Sequence, residues 1–242
     1  MLNKIISSLW KAWFVFLMFL TALILPFLLL LSPILPFKAN RYLAWLVASN
    51  WGRITVRTTG SRVIFEGREL LPKHSQLCFM GNHQGFFDIP AFLGYLGRPV
   101  GFIAKQELFK VPVLSQWMRQ LPCVFIDKKT PRETIVSFQR SAEIIKKGCP
   151  IVIFPEGGRS FSDTMADFHL GSLKLPQMAG ATIVPFALKG TWRIYEIDKG
   201  IHPVTIRIRV LPPITPQDPI YNDKTALLKH LEDLIRKNVE EM

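Results

Sequence analysis

The stretch Gly81-Asn82-His83-Gln84-Gly85-Phe86-Phe87-Asp88 sets an imidazole and a carboxylate five positions apart, in a turn-rich segment that follows an apolar run. A neutral imidazole can take a proton from an attacking hydroxyl near neutral pH, and a carboxylate can fix its tautomer and stabilise the imidazolium. Five positions on an ideal helix put two side chains roughly 140° apart, so a regular helix would keep His83 and Asp88 separate. Asn82 and Gly85 favour a turn that could bring them together. Asp88 ahead of Ile89-Pro90 also reads as a helix N-cap with proline in the first turn. No second His or Cys lies nearby at ligand spacing, so no metal is expected at this pair.

A second constellation is Ile151-Val152-Ile153-Phe154-Pro155-Glu156-Gly157-Gly158-Arg159-Ser160. A buried strand ends at proline, and paired glycines then expose backbone amides beside a guanidinium and a hydroxyl. Such a group suits a phosphate monoester, which arginine can grip with two parallel hydrogen bonds. Glu156 is a candidate for holding a substrate hydroxyl, and an ordinary turn with a surface arginine is the plainer reading. The Gly-Lys-Ser/Thr ending of a nucleotide P-loop is missing. Lys105 and Lys128 each follow a strand-like run, so both could point into one strand-end crevice, although solvated lysines are commoner. Ile183-Val184-Pro185-Phe186-Ala187-Leu188 reads as a core strand before it reads as an acyl groove.

The elements that must carry these residues alternate in type. Strands are expected at 63–66, 77–80, 100–104, 124–126, 151–154, 183–188 and 204–210, with helices between several of them. The clearest helix is 131–147, with Thr130 as N-cap, Pro131 at the first position and Glu133 at the third. A closing amphipathic helix is expected from Lys224 to Glu240. This alternation predicts an α/β fold, a sheet covered by helices on both faces, with ligands at strand ends.

The net charge of +12 over 242 residues calls for an anionic partner. No acidic residue precedes Glu66, so the positive excess lies beside the most apolar part of the chain. That favours an anionic membrane over nucleic acid. From Ala12 to Phe37 the chain is apolar apart from Thr21 and Ser32, long enough to cross a bilayer core of about 30 Å. Pro26, Pro33 and Pro36 are expected to break it, and basic residues flank both ends. A helix pair entering and leaving one leaflet fits that pattern, with Trp10, Trp13, Tyr42, Trp45 and Trp51 as an aromatic belt. A single span is one alternative; a cleaved signal peptide is another, against which stand the lack of a small-residue cleavage site and the length of the stretch. The division expected is an anchor over 1–60 and an α/β domain over 61–242. Cys78, Cys123 and Cys149, odd in number and set in apolar runs, read as reduced thiols of a cytosolic domain.

Taken in order, these motifs resemble the glycerolipid acyltransferase family, typified by bacterial 1-acyl-sn-glycerol-3-phosphate acyltransferase. Asn82, His83 and Asp88 match its Asn-His, four residues, Asp motif. Lys105, Glu107 and Leu108 match Ala-Lys-x-Glu-Leu, and Phe125, Ile126 and Asp127 match Phe-Ile-Asp-Arg. Phe154, Pro155, Glu156, Gly157, Arg159 and Ser160 match Phe-Pro-Glu-Gly-Thr-Arg-Ser, and Val184-Pro185 matches the last motif. Gly158 stands where the family has threonine, Lys128 where it has arginine, and Pro122-Cys123 where glycine is common. The resemblance implies a single mixed sheet flanked by helices, with an N-terminal apolar helical anchor in the cytoplasmic membrane and the catalytic domain on its cytoplasmic side. It also implies acyl transfer from acyl-CoA or acyl-acyl-carrier-protein to the sn-2 hydroxyl of lysophosphatidic acid, with no metal or bound cofactor. His83 and Asp88 would then be catalytic, and Asn82, Lys105, Lys128, Glu156, Gly157, Gly158, Arg159 and Ser160 would bind substrate. Another lysolipid or glycerol 3-phosphate as acceptor, a lipid hydrolase and a non-catalytic membrane module are the alternatives.

Overall fold

The computed structural model describes residues 2–126 and 131–242, so Asp127, Lys128 and the Thr130 cap lie outside the described residues. In chain order the elements begin with α1 (Leu2–Leu31), α2 (Phe37–Arg57), β1 (Arg62–Glu66), β2 (Leu77–Gly81), α3 (Asp88–Tyr95) and β3 (Gly101–Lys105). They continue with α4 (Leu114–Gln120), β4 (Val124–Ile126), α5 (Pro131–Lys146), β5 (Ile151–Ile153), α6 (Lys174–Ala179), β6 (Thr182–Lys189), β7 (Thr205–Val210) and α7 (Lys224–Glu241).

Among the described residues, seven strands form one sheet in the order β1-β7-β6-β2-β5-β3-β4. The block β6-β2-β5-β3-β4 is parallel throughout. β7 is antiparallel to β6 and parallel to β1, which makes the sheet mixed. β2 sits at the centre of the block and every one of its residues is buried. Leu77 and Phe79 join the core under α2 and α3, whereas Cys78 and Met80 join the core under α5 and α7. This period-two alternation on a strand buried on both faces gives a continuous apolar run, as helices packed on both sides of a parallel sheet require. At the carboxyl edge of the parallel block lie Gly81, Lys105, Ile126, Ile153 and Lys189. The loops that leave those residues build the site.

The amino-terminal region departs from expectation in two ways. α1 runs through Pro26 without a break. Proline there forfeits one backbone donor, but Leu25 and Leu28 beside it are buried in the core and hold the helix axis. The chain turns only at residues 32–36, where Pro33 and Pro36 fall. The aromatic belt is also absent as a set: Trp10 and Trp45 are buried, at 9% and 8% exposure, and Trp51 is half-buried. Trp10 Nε1 donates to Thr58 Oγ1 at 3.1 Å, and its ring lies 5.6 Å from that of Phe87. These indoles fasten the helices to the body instead of lying at a membrane surface, while Trp13 and Tyr42 remain exposed.

α2 packs closely on α3. A Cβ on Gly52 would come within 2.5 Å of the Pro90 carbonyl oxygen, and one on Gly94 within 2.9 Å of the Arg53 nitrogen. Two glycines therefore let the backbones approach, and α3 carries Asp88 at its first turn. α1 differs. It is the one helix among the described residues long and apolar enough to cross a membrane, with a mean hydropathy of 2.9 over its most apolar window. Phe16, Phe19, Leu23, Phe27 and Leu30 stand exposed along it. That N-terminal apolar helix is of the kind that anchors a protein in a membrane.

Candidate active site

His83 Nδ1 lies 2.5 Å from Asp88 Oδ2. The turn after β2 brings them together, as Gly85 accepts the Asp88 amide through its carbonyl at 3.4 Å. Asp88 Oδ2 also accepts the amides of Gln84 at 2.7 Å and Gly85 at 3.0 Å, and Thr191 Oγ1 donates to Oδ1 by a short hydrogen bond. The carboxylate is completely buried and both of its oxygens are engaged. It is therefore a fixed acceptor, and it imposes the tautomer in which Nδ1 carries the proton and Nε2 is free to act as base. The N-cap expectation for Asp88 is corrected: Phe87 is the cap residue and Asp88 the first helical one, its carboxylate turned back onto the preceding turn.

The imidazole is held on one face by Phe154, stacked at 4.1 Å between centroids with 14° between planes. Its side chain keeps 19% exposure, which leaves an edge open to a substrate. The loop after β5 is stitched to the loop after β2 at the backbone. The amides of Ser160 and Phe161 donate to the carbonyls of His83, at 2.8 Å, and Gln84, at 3.0 Å.

Several residues given binding roles by sequence make structural bonds around the pair. Glu156 is buried, and its Oε1 accepts the His83 amide at 2.6 Å while Oε2 accepts the Ala166 amide at 2.8 Å. Both oxygens hold the loops in place. Burial pushes its carboxyl above the usual range, and the two amides work against that shift. Asn82 is also buried, and its amide side chain spans to β6, donating to the Leu188 carbonyl at 2.8 Å and accepting the Leu188 amide at 2.7 Å. It clamps the end of β2 to β6. Ser160 turns its hydroxyl to the Ser162 carbonyl at 3.0 Å. The Gly157 amide donates to Phe154 O at 3.0 Å and φ is +69° there, a conformation that glycine adopts at little cost. The paired-glycine turn is thus less open in its amides than its composition implied. At Gly158 an added Cβ would meet nothing within 4 Å, so that position faces open space.

Arg159 is exposed, with its guanidinium 5.0 Å from the Phe161 ring. Phe161 has φ +55°, a strained conformation for a non-glycine residue that sets the ring under the arginine. The Ser160 amide on the His83 carbonyl sets Arg159, one residue earlier, beside the turn that carries the His–Asp pair. Lys105 ends β3 at the same edge of the sheet, exposed and with no ion-pair partner among the described residues.

Sequence reasoning missed the residues that brace the pair. Gln84 is buried, its Oε1 accepting the Gly190 amide at 2.8 Å and its Nε2 donating to Asp163 at 3.2 Å. Asp163 in turn accepts from Trp192 Nε1 at 3.0 Å and pairs with Arg193. Glu196 Oε1 accepts the Phe86 amide at 2.6 Å, while its Oε2 is buried with no partner among the described residues. Burial raises its carboxyl above the usual range. These residues lie 80 to 113 positions from His83 or next to it in a bland polar context, and no spacing signal marks them. The cysteines are free, and burial pushes the Cys123 thiol up to about 12 and Cys78 higher still, so neither is a ready nucleophile at neutral pH.

A mixed α/β sheet with a buried-carboxylate His dyad at its carboxyl edge, an arginine beside it and an apolar amino-terminal helix defines a class with lipid-modifying chemistry in reach. The acyltransferase family model matches residues 62–189, more than half of the chain, and this protein belongs to that family, the glycerolipid acyltransferases its motifs resemble. It is 31% identical over 170 residues to a chloroplastic 1-acyl-sn-glycerol-3-phosphate acyltransferase of Arabidopsis thaliana, covering 70% of this chain and 46% of the relative. A 1-acyl-sn-glycerol-3-phosphate acyltransferase of Chlamydomonas reinhardtii is 32% identical over 186 residues, covering 74% and 56%. The chain spans about half the length of these curated relatives. Over its whole length it is similar to the crystal structure of the 1-acyl-sn-glycerophosphate acyltransferase of Thermotoga maritima, with a TM-score of 0.82, 25% identity and coverage of 99% and 97%.

Proposed function

We propose that this protein is a membrane-anchored O-acyltransferase that moves an acyl group from CoA or acyl carrier protein to the sn-2 hydroxyl of lysophosphatidic acid, giving phosphatidic acid. The observation that carries the reading is the 2.5 Å contact of His83 Nδ1 with a fully buried Asp88, beside an exposed arginine. The acceptor named here is the one named for the relatives in Arabidopsis and Chlamydomonas.

His83 Nε2 removes the proton of the acceptor hydroxyl as its oxygen attacks the thioester carbonyl. Asp88 stabilises the imidazolium that forms. Gly158, whose amide donates to no described residue and faces open space, can turn its N–H toward the tetrahedral oxyanion. On collapse the carbon–sulfur bond breaks, the new ester remains, and the imidazolium returns its proton to the leaving thiolate. Arg159 and Lys105 bind the acceptor phosphate, and Lys128 is assigned there with them. Glu156 and Asn82 hold the loops. Residues 1–60 form the anchoring unit on the cytoplasmic membrane, with α1 in the lipid, α2 docking it to the domain over 61–242, and the catalytic side toward the cytoplasm.

Arg159→Ala should raise KM for the phosphorylated acceptor well over tenfold while changing KM for the acyl donor little, because a charge-assisted contact to phosphate is worth about 1.5–3 kcal/mol. Steady-state kinetics with each substrate varied in turn read this out, and an equal effect on both removes the phosphate role. Parallel assays with lysophosphatidate, other lysophospholipids and glycerol 3-phosphate identify the acceptor.

A further inference from the structure

A second apolar and basic surface lies beyond the end of α1. The turn Gln106–Lys110 that follows β3 leaves Leu108, Phe109 and Val111 exposed at 36%, 42% and 41%. From Phe102 to Ile126 the chain holds Lys105, Lys110 and Arg119 against the single acid Glu107. This surface is continuous with the turn between α1 and α2 through stacked cations. The Arg119 guanidinium lies 4.4 Å from the Phe109 ring. Arg41 donates to the Arg119 carbonyl at 2.6 Å, and its own guanidinium lies 5.0 Å from the Phe37 ring. Phe37 and Ile34 are themselves exposed, and no acid precedes Glu66. The result is an apolar strip edged by cations, running from the end of α1 to Lys105 at the strand-end crevice.

We infer that residues 105–111 form a second membrane-contact element, in which Leu108, Phe109 and Val111 enter the headgroup layer of an anionic lipid surface and Lys110 and Arg119 meet its phosphates. Two facts select lipid as the occupant. The strip continues the exposed apolar run of α1, and its charge is complementary to anionic headgroups. A side chain set with its apolar part down and its cation level with the phosphates is the arrangement that interfacial segments use. Contact at both α1 and this rim would orient the crevice toward the surface from which a lipid acceptor enters. The inference rests on reading α1 as lipid-embedded.

The test uses the full-length protein in vesicles of phosphatidylcholine with phosphatidylglycerol. An environment-sensitive fluorophore is placed at Phe109→Cys or, independently, Val111→Cys, in a Cys123→Ser background because Cys78 and Cys149 are buried. A probe at Phe27→Cys reports on α1. The expected result is quenching of the 109 and 111 probes by lipids brominated near the carbonyl, with Lys110→Gln lowering it about fivefold, the worth of one basic side chain at such a surface. Probes at 109 and 111 that stay open to aqueous iodide while the 27 probe is quenched by lipid overturn the inference. Shielding that appears only when acyl carrier protein is added overturns it in favour of a protein donor site. Loss of quenching at all three positions overturns it together with the anchor reading. Because quenching needs no turnover, none of these outcomes depends on the proposed acyl transfer.

Discussion

At the scale of single residues the site is a problem of keeping one buried carboxylate fully bonded. Asp88 collects His83 Nδ1, two backbone amides and the Thr191 hydroxyl. Each donor removes a direction in which the carboxylate could rotate, and the imidazole inherits that rigidity. Thr191 is completely buried, so valine fits its space while deleting the donor. A hydrogen bond to a charged group is worth about 1.5–3 kcal/mol, so Thr191→Val should lower kcat by roughly ten- to hundredfold with KM little changed. Thr191→Ser should restore most of the rate, and a rate for Thr191→Val within twofold of the parent would show that the hydroxyl does not position Asp88. Glu196 makes the converse point. Its buried Oε2 lacks a partner and burial raises its carboxyl, so the folded protein holds that proton more tightly than the unfolded chain. Its contribution to stability therefore falls as pH rises from the ordinary carboxylate range through the raised value. Glu196→Gln keeps an acceptor for the Phe86 amide and removes the charge. Its Tm should exceed that of the parent near neutral pH, and the gap should close as pH falls toward the ordinary carboxylate range. A gap that widens on acidification would contradict this sign.

At the scale of elements, function depends on helices that bring backbone to backbone. α2 meets α3 through Gly52 and Gly94, and α3 begins at Asp88. Gly52→Ala would press a methyl to within 2.5 Å of the Pro90 carbonyl, and the helices must part to relieve it. The expected cost is about 1–3 kcal/mol, read as a lower denaturation midpoint, accompanied by lower activity because α3 shifts. An unchanged midpoint would mean that the crossing yields freely. The strands were legible because most are short apolar runs bounded by turn residues and β7 alternates polar with apolar, whereas β2, β5 and β6 are so deeply buried that alternation disappears. The course of α1 was not legible. A proline in an apolar run reads as a break, and whether it is one depends on Leu25 and Leu28 finding partners far along the chain. The same holds for Trp10 and Trp45, whose aromatic character fits either a membrane surface or a core.

At the scale of the whole molecule, the carboxyl edge of the parallel block gathers parts that are far apart in sequence. His83 follows β2, Arg159 follows β5, Lys105 ends β3, and Thr191 and Glu196 follow β6. The His83–Asp88 spacing and the Pro-Glu-Gly-Gly-Arg run were visible because their residue types advertise chemistry. Glu156 and Asn82 were visible as polar residues of the motifs, but their bonds to backbone were not, since sequence does not say which way a polar side chain turns. Gln84, Thr191 and Glu196 stayed hidden because bracing a loop needs only one polar atom in the right place, and no spacing encodes that. The central claim is that His83 is the general base of acyl transfer. Its most direct test is the rate of phosphatidate formation from lysophosphatidate and acyl donor by His83→Ala, with folding verified by an unchanged circular dichroism spectrum. A fall of at least the hundredfold that a positioned base contributes is expected, with donor and acceptor still bound. Transfer at the parent rate by the folded variant would contradict it.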